Sequence, residues 1–170
     1  DTNGKLPINF EPKDYKFESI HSDKPSAQVK SGFLLASLYH DEFPTTVTEE
    51  LPTRDHTERM LNLMGVNTVR LGNSTTVEPV QSLRSINYTV PGDPSSAAFL
   101  IALGLMKSKK LIIKDVLLNE RRIGFLKILK RMNAKITIEN LEVQNNESVG
   151  DIHVSKSNLS AVNISKEDVS

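Results

Sequence analysis

The sequence contains no cysteine. That excludes disulfides and thiolate chemistry, and it fits a cytosolic setting. It has no excess of charge of either sign, since Lys plus Arg and Asp plus Glu are 21 each. The chain as a whole therefore has no electrostatic pull toward nucleic acid or membrane. It has no apolar run long enough to span a bilayer. The opening "DTNGKLPINFEP" lacks the basic and apolar segments of a signal peptide and reads as a chain entered in mid-course.

What is present is a foldable chain of 170 residues with 38% hydrophobic content, enough for one ordinary domain or two small ones. In the first half, apolar spacing predicts helices over 26–39, with Phe33, Leu34, Leu35 and Leu38 inward, and over 54–64, with Met60, Leu61 and Met64 inward and Gly65 as the stop. "TTVTEEL" (45–51) reads as a strand, as do "LPINF", "FESIH", "TVRLG" and "SINYTV". The second half repeats this order. Helices are expected over 95–106 and 122–132, with strands at "KLIIKDVLL" (110–118), "AKITI" and "DIHVS".

The repetition reaches single residues. Phe33, Leu34, Leu35 and Ala36 match Phe99, Leu100, Ile101 and Ala102 at an offset of 66; Arg54, Leu61 and Met64 match Arg122, Leu129 and Met132 at 68. Gly65 and Asn133 both suit a left-handed helix stop. The expectation is two copies of a strand–helix–strand–helix–strand unit whose helices pack on sheets. The copies meet at "NYTVPGDPSSAAF" (87–99), a turn-rich stretch in which Asp93 can cap the next helix and Pro94 can start it. The tail after Val154 is polar and weakly patterned, and both ends look cut.

Four stretches could carry chemistry. In "PSAQ", Ser26 by itself reads first as an ordinary N-cap, while Gln28 in the first turn offers a donor and an acceptor to a polar ligand. In "LPTRDHTERML", Asp55 and Glu58 have the spacing of a capping box. That leaves Arg54 unexplained, because a guanidinium beside a helix start is unfavourable unless an anion is present. His56 reads as a surface imidazole before an acid–base group. "PGDPSSAAF" is not a phosphate loop, since it has no Walker or dinucleotide pattern and Asp93 would repel phosphate. The run 107–135 has ten Lys or Arg but a single aromatic, Phe125, so it reads as a solvated face. His21, His40 and His153 have no metal-ligand spacing, so no metal is assigned.

Taken together, "PSAQVKSGFLLASLY", "TTVTEELPTRDHTERMLNLMG", "VPGDPSSAAFLIALGL" and "VLLNERRIGFLKILKRM" resemble the middle of 5-enolpyruvylshikimate-3-phosphate synthases, over roughly residues 3–154. The resemblance implies an α/β (α+β) fold of repeated βαβαββ units in two lobes. Residues 1–89 would end the first lobe, 90–94 would be a hinge, and 95–170 would start the second. It implies a cytoplasmic transferase of the shikimate pathway, in aromatic amino-acid biosynthesis. That enzyme moves enolpyruvyl from phosphoenolpyruvate to shikimate 3-phosphate without a cofactor. Carried over by position, Ser26, Ala27, Gln28, Thr53 and Arg54 would bind shikimate 3-phosphate, Ala27 through its backbone, and Gln28 would also touch phosphoenolpyruvate. The family's early Lys-Ser motif, its Asn-Ala-Gly-Thr segment and its later Asp, Lys-Glu and Asp-His-Arg motifs have no counterpart in the stretch the resemblance covers. The resemblance thus implies a central fragment that binds substrate, with no catalytic residue assigned and Arg54 as its only fixed cation in the pocket. Two alternatives stand beside it: a non-catalytic phosphate-binding module, and a relative of the UDP-N-acetylglucosamine enolpyruvyl transferases.

Overall fold

The computed structural model describes residues 18–39, 43–165 and 168. The expected strand "LPINF" and His40 lie outside them. The first unit runs β1 (Ser19–Ser22), α1 (Ala27–Ser37), β2 (Thr45–Glu49), α2 (His56–Leu63), β3 (Thr68–Leu71) and β4 (Ser74–Val77). The second runs α3 (Pro94–Lys107), β5 (Leu111–Leu117), α4 (Gly124–Arg131), β6 (Lys135–Gln144) and β7 (Glu147–Ser155).

The two sheets share one plan. The first has strand order β1-β2-β4-β3, with β1 parallel to β2 and the remaining pairs antiparallel. The second has order β5-β7-β6, both pairs antiparallel. Gly92 forms a single parallel bridge to Val116 of β5, where β1 would stand. A side chain at Gly92 would press on the Asp115 carbonyl at 3.3 Å, so the backbones approach closely only because none is there. "SINYTV", expected as a strand, is not one: residues 85–90 pair with no strand, and the bridge at Gly92 comes after them. The strand the sequence did not suggest is β4. It follows a two-residue hairpin loop, Gly72–Asn73, with Leu71 facing Ser74, and Gly72 at φ 59° supplies the left-handed turn.

Burial sets the repeat register. Ser26 and Asp93 cap α1 and α3, and Leu34 and Ile101 are both 0% exposed, an offset of 67. The identity-based offset of 66 would pair Leu34 with the exposed Leu100, and Leu35 is itself exposed. Residue likeness favoured Phe33 with Phe99, but the side of the helix that meets the sheet decides which residues correspond. α2 and α4 correspond at 68 along their whole length, and both stop in a left-handed residue, Gly65 at φ 90° and Asn133 at φ 66°.

Each unit has its own core. Leu34, Val47, Leu61, Val66 and Val77 fill the first. Ala97, Ile101, Leu105, Val116, Leu126, Ile152 and their neighbours fill the second. Each fully buried aliphatic side chain contributes about 1.5–3 kcal/mol to holding a helix on its sheet. With those faces fixed, the N-termini of α1 and α2 emerge together beyond the ends of β1 and β2. No helix among the described residues is long and apolar enough to cross a membrane.

Candidate anion site at two helix starts

Ser26, with extended backbone, caps α1. Its hydroxyl oxygen accepts from the Val29 amide at 3.4 Å, and its proton goes to Gln28 Oε1 at 3.3 Å. The strand-to-helix turn after β2 brings Thr53 and Arg54 alongside. All five residues singled out in the sequence, Ser26, Ala27, Gln28, Thr53 and Arg54, line one cavity of about 580 Å³. The starts of α1 and α2 bring their positive dipole ends toward it. The Arg54 guanidinium makes no hydrogen bond or ion pair to a described residue.

Arg121 also lines the cavity. It lies in the basic run, whose other nine cationic side chains are, apart from half-buried Arg122, exposed as expected of a solvated face. Its guanidinium donates to the Thr53 carbonyl. The cavity therefore has two fixed cations, not the single one expected. What places Arg121 is Asn119, which is buried. The Asn119 amide donates to Asp55 at 2.8 Å and to Glu147 at 3.1 Å, and its oxygen accepts from the Arg121 amide at 3.0 Å. A contact across two units has no sequence spacing that could announce it.

The capping box does not form. Asp55 stands at the N-cap position of α2 without bonding a helix amide. Its carboxylate instead takes Arg59 at 3.0 Å and Asn119 at 2.8 Å. Burial pushes the Asp55 carboxyl up, but those hydrogen bonds and the charges of Arg59 and Arg121 outweigh it and hold it at about 2. Glu58 turns inward to Lys30, 2.7 Å away. His56 is not a free surface imidazole, since its Nδ1 lies 2.6 Å from Glu147, and it does not line the cavity.

Thr53 is held by Glu49, which accepts from both its hydroxyl and, at 3.4 Å, its amide. A hydroxyl has one proton. A ligand in the cavity would find the lone pairs of Thr53 while its proton is held by Glu49.

The second unit offers an internal comparison. Arg122 corresponds to Arg54 and Asp93 to Ser26. There the Asp93 carboxylate sits at the start of α3, accepting from the Ser95 and Ser96 amides at 3.3 and 2.9 Å, and pairs with Arg122 at 2.7 Å. These bonds lower the Asp93 carboxyl to about 2, the Ser96 side-chain bond first among them. The place between helix start and arginine is thus filled by a carboxylate in the second unit and open in the first. No group of three or more His, Cys, Asp or Glu suited to a metal occurs among the described residues.

A doubled α/β unit with an open, cationic cavity at two helix starts defines a candidate anion-binding protein, and similarity to known proteins specifies its family. The family model for EPSP synthase (3-phosphoshikimate 1-carboxyvinyltransferase) matches residues 1–167. The chain belongs to the EPSP synthase family. It is 40% identical over 169 residues to a 3-phosphoshikimate 1-carboxyvinyltransferase of Limosilactobacillus fermentum, covering 98% of this chain and 39% of that protein. It is 47% identical over 142 residues to one of Thermodesulfovibrio yellowstonii, covering 82% and 33%. The solved EPSP synthase from Acinetobacter baumannii superposes with TM-score 0.80 at 39% identity, over 89% of this chain and 35% of that one. The chain thus spans little more than a third of the relatives it matches.

Proposed function

We propose that this chain is the central part of a cytoplasmic 3-phosphoshikimate 1-carboxyvinyltransferase, with residues 1–89 closing one lobe, 90–94 acting as hinge and 95–170 opening the other. The parent enzyme moves enolpyruvyl from phosphoenolpyruvate to the 5-hydroxyl of shikimate 3-phosphate. In this reading the phosphate of shikimate 3-phosphate enters the cavity between α1 and α2. Ser26 and the backbone of Ala27 meet it at one helix start, Thr53 and Arg54 at the other. Gln28, with its amide at the mouth, touches both substrates, and Arg121 adds a second positive charge beside Thr53.

The observation that carries this reading is Arg54. It lies between two helix starts with no carboxylate among the described residues, while its counterpart Arg122 is neutralised by Asp93. An arginine there costs electrostatic energy unless an anion answers it, and the first unit leaves that anion to come from outside.

Enolpyruvyl transfer also needs groups that deliver and remove protons within hydrogen-bond reach. Glu49, Asp55 and His56, the titratable groups nearest the turn, are committed to Lys30 and Thr53, to Arg59 and Asn119, and to Glu147 in turn. The 170-residue chain is expected to bind without turning over. The test is titration of the chain with shikimate 3-phosphate, followed by amide shifts of Ser26, Gln28 and Thr53. Arg54→Ala is expected to weaken binding by ~1.5–3 kcal/mol, the worth of a charge-assisted hydrogen bond, at an unchanged fold. Unchanged affinity in Arg54→Ala, or phosphate release from both substrates by the short chain, would overturn the assignment.

A further inference from the structure

The interior of the first unit holds charges that the second does without. Lys30 of α1 is 0% exposed. Its ammonium lies 2.7 Å from Glu58 of α2 and 3.1 Å from Glu49 of β2, and Arg70 of β3 approaches Glu58 at 3.9 Å. Two cations and two carboxylates cancel. At the corresponding positions the second unit has Ala97, Leu126 and Val116, all buried. The correspondence of Glu49 and Val116 is structural as well as numerical, since each makes the parallel pairing with the chain segment ahead of its helix, Ser22 and Gly92.

One topology is therefore built both ways, and the apolar way is enough for the fold. A buried ion cluster gives no stability advantage over well-packed apolar side chains and often less, so its presence in only one unit calls for another reason. Its position supplies one. Lys30 lies one helical turn after Ser26, its amide bonded to the Ser26 carbonyl at 3.0 Å. Glu58 lies in the first turn of α2. The Ser31 and Thr57 hydroxyls, 2.6 Å apart, tie the same two turns. Glu49 takes both donors of Thr53. Every link of the cluster thus ends on a residue that lines the cavity or lies one turn beneath it. Separating or misplacing one of these charges leaves another buried without its counter-charge, so the cluster penalises a shift of either helix start in a way that aliphatic contacts do not.

We propose that Lys30, Glu49 and Glu58 are positioning residues for the anion cavity, fixing the starts of α1 and α2 and the Thr53 turn in the geometry that receives a phosphate monoester. This rests on the reading of the cavity given above. The test installs the second unit's residues in the first, Lys30→Ala/Glu49→Val/Glu58→Leu, in the 170-residue chain. The expected result is a chain that still folds, with some loss of melting temperature because Arg70 is left without Glu58. Affinity for shikimate 3-phosphate should fall tenfold or more, and the Thr53 amide should exchange with solvent about tenfold faster, since a bond to a charged acceptor is lost. A folded triple variant with unaltered affinity and unaltered Thr53 exchange would overturn the proposal. Should the triple variant not fold, Glu49→Gln, which keeps the volume, decides. Thr53 exchange that speeds up more than that of the buried Leu34 supports positioning, and Thr53 exchange that is unaltered or speeds up no more than that of Leu34 overturns it. Failure of the phosphate reading looks different: the unaltered chain would then not bind shikimate 3-phosphate, while the exchange contrast at Thr53 would persist.

Discussion

The two units of this chain have one topology and opposite ends. In the first, the strand-to-helix turns present Ser26 and Arg54 to an open cavity, above a buried set of charges. In the second, Asp93 and Arg122 close on each other at 2.7 Å above Ala97 and Leu126. The order of the three strands common to both sheets, the length of α2 and α4 and the left-handed stops of those two helices are shared, so none of these makes a site. The difference lies in a few side chains at the helix starts. A serine at an N-cap leaves room for an outside anion, and an aspartate at the equivalent cap supplies the anion itself.

The shared part of the comparison would show the largest effect when broken. Leu34→Ala and Ile101→Ala, at equivalent and fully buried positions, are each expected to cost about 2–5 kcal/mol in denaturant unfolding, the loss for a large-to-small change in a packed core. A loss below about 1 kcal/mol at either site would mean that the two helices do not carry their cores alike.

Exchanging the caps tests the part that differs. Ser26→Asp gives the first unit the second unit's carboxylate within reach of Arg54. The expected loss of affinity for shikimate 3-phosphate is ~1.5–3 kcal/mol, with little change in stability, because Ser and Asp cap helices about equally well. The reverse exchange, Asp93→Ser, should give Arg122 a phosphate-dependent chemical shift that the unaltered chain lacks. A Ser26→Asp chain that binds as before would remove the analogy between the two turns.

The smallest effect is one of pH. Asp55 is held at about 2 in the folded chain against an ordinary 3.8. A depressed carboxyl contributes stability that is present above its unfolded value and is lost as the pH falls from about 4 toward about 2. The corresponding residue ahead of α4 is Ile123, which does not titrate. Asp55→Asn should therefore flatten the acid limb of the stability curve by a difference on the order of 1 kcal/mol, given partial solvent screening. Urea midpoints of both chains between pH 2 and about 5 would show it, and coincident curves would mean that Asp55 is not held by Arg59 and Asn119 in solution.

Much of this was legible in the order of residues. Period-3.6 apolar spacing marked all four helices, and turn residues such as Gly65 and Asn133 ended two of them, because those features act within a turn or two of chain. The duplication was visible too, and Arg54 stood out because a cation at a helix start is a local electrostatic anomaly; Ser26 read as a cap, Gln28 as a polar first-turn residue, and Thr53 was singled out by the family resemblance. Other features needed the folded molecule. Leu35 read as core and is exposed, and the repeat register moved from 66 to 67, because only docking on the sheet chooses which face of a helix is buried. Asp55 and Glu58 had the spacing of a capping box, yet each found a stronger partner brought from far along the chain, Asn119 for one and Lys30 for the other. Arg121 entered the cavity for the same reason. Local sequence sets what a backbone can do within a few residues; which buried charge meets which is set by the contacts that close the fold, and there a carboxylate goes to whatever cation or amide most fully replaces the water it has lost.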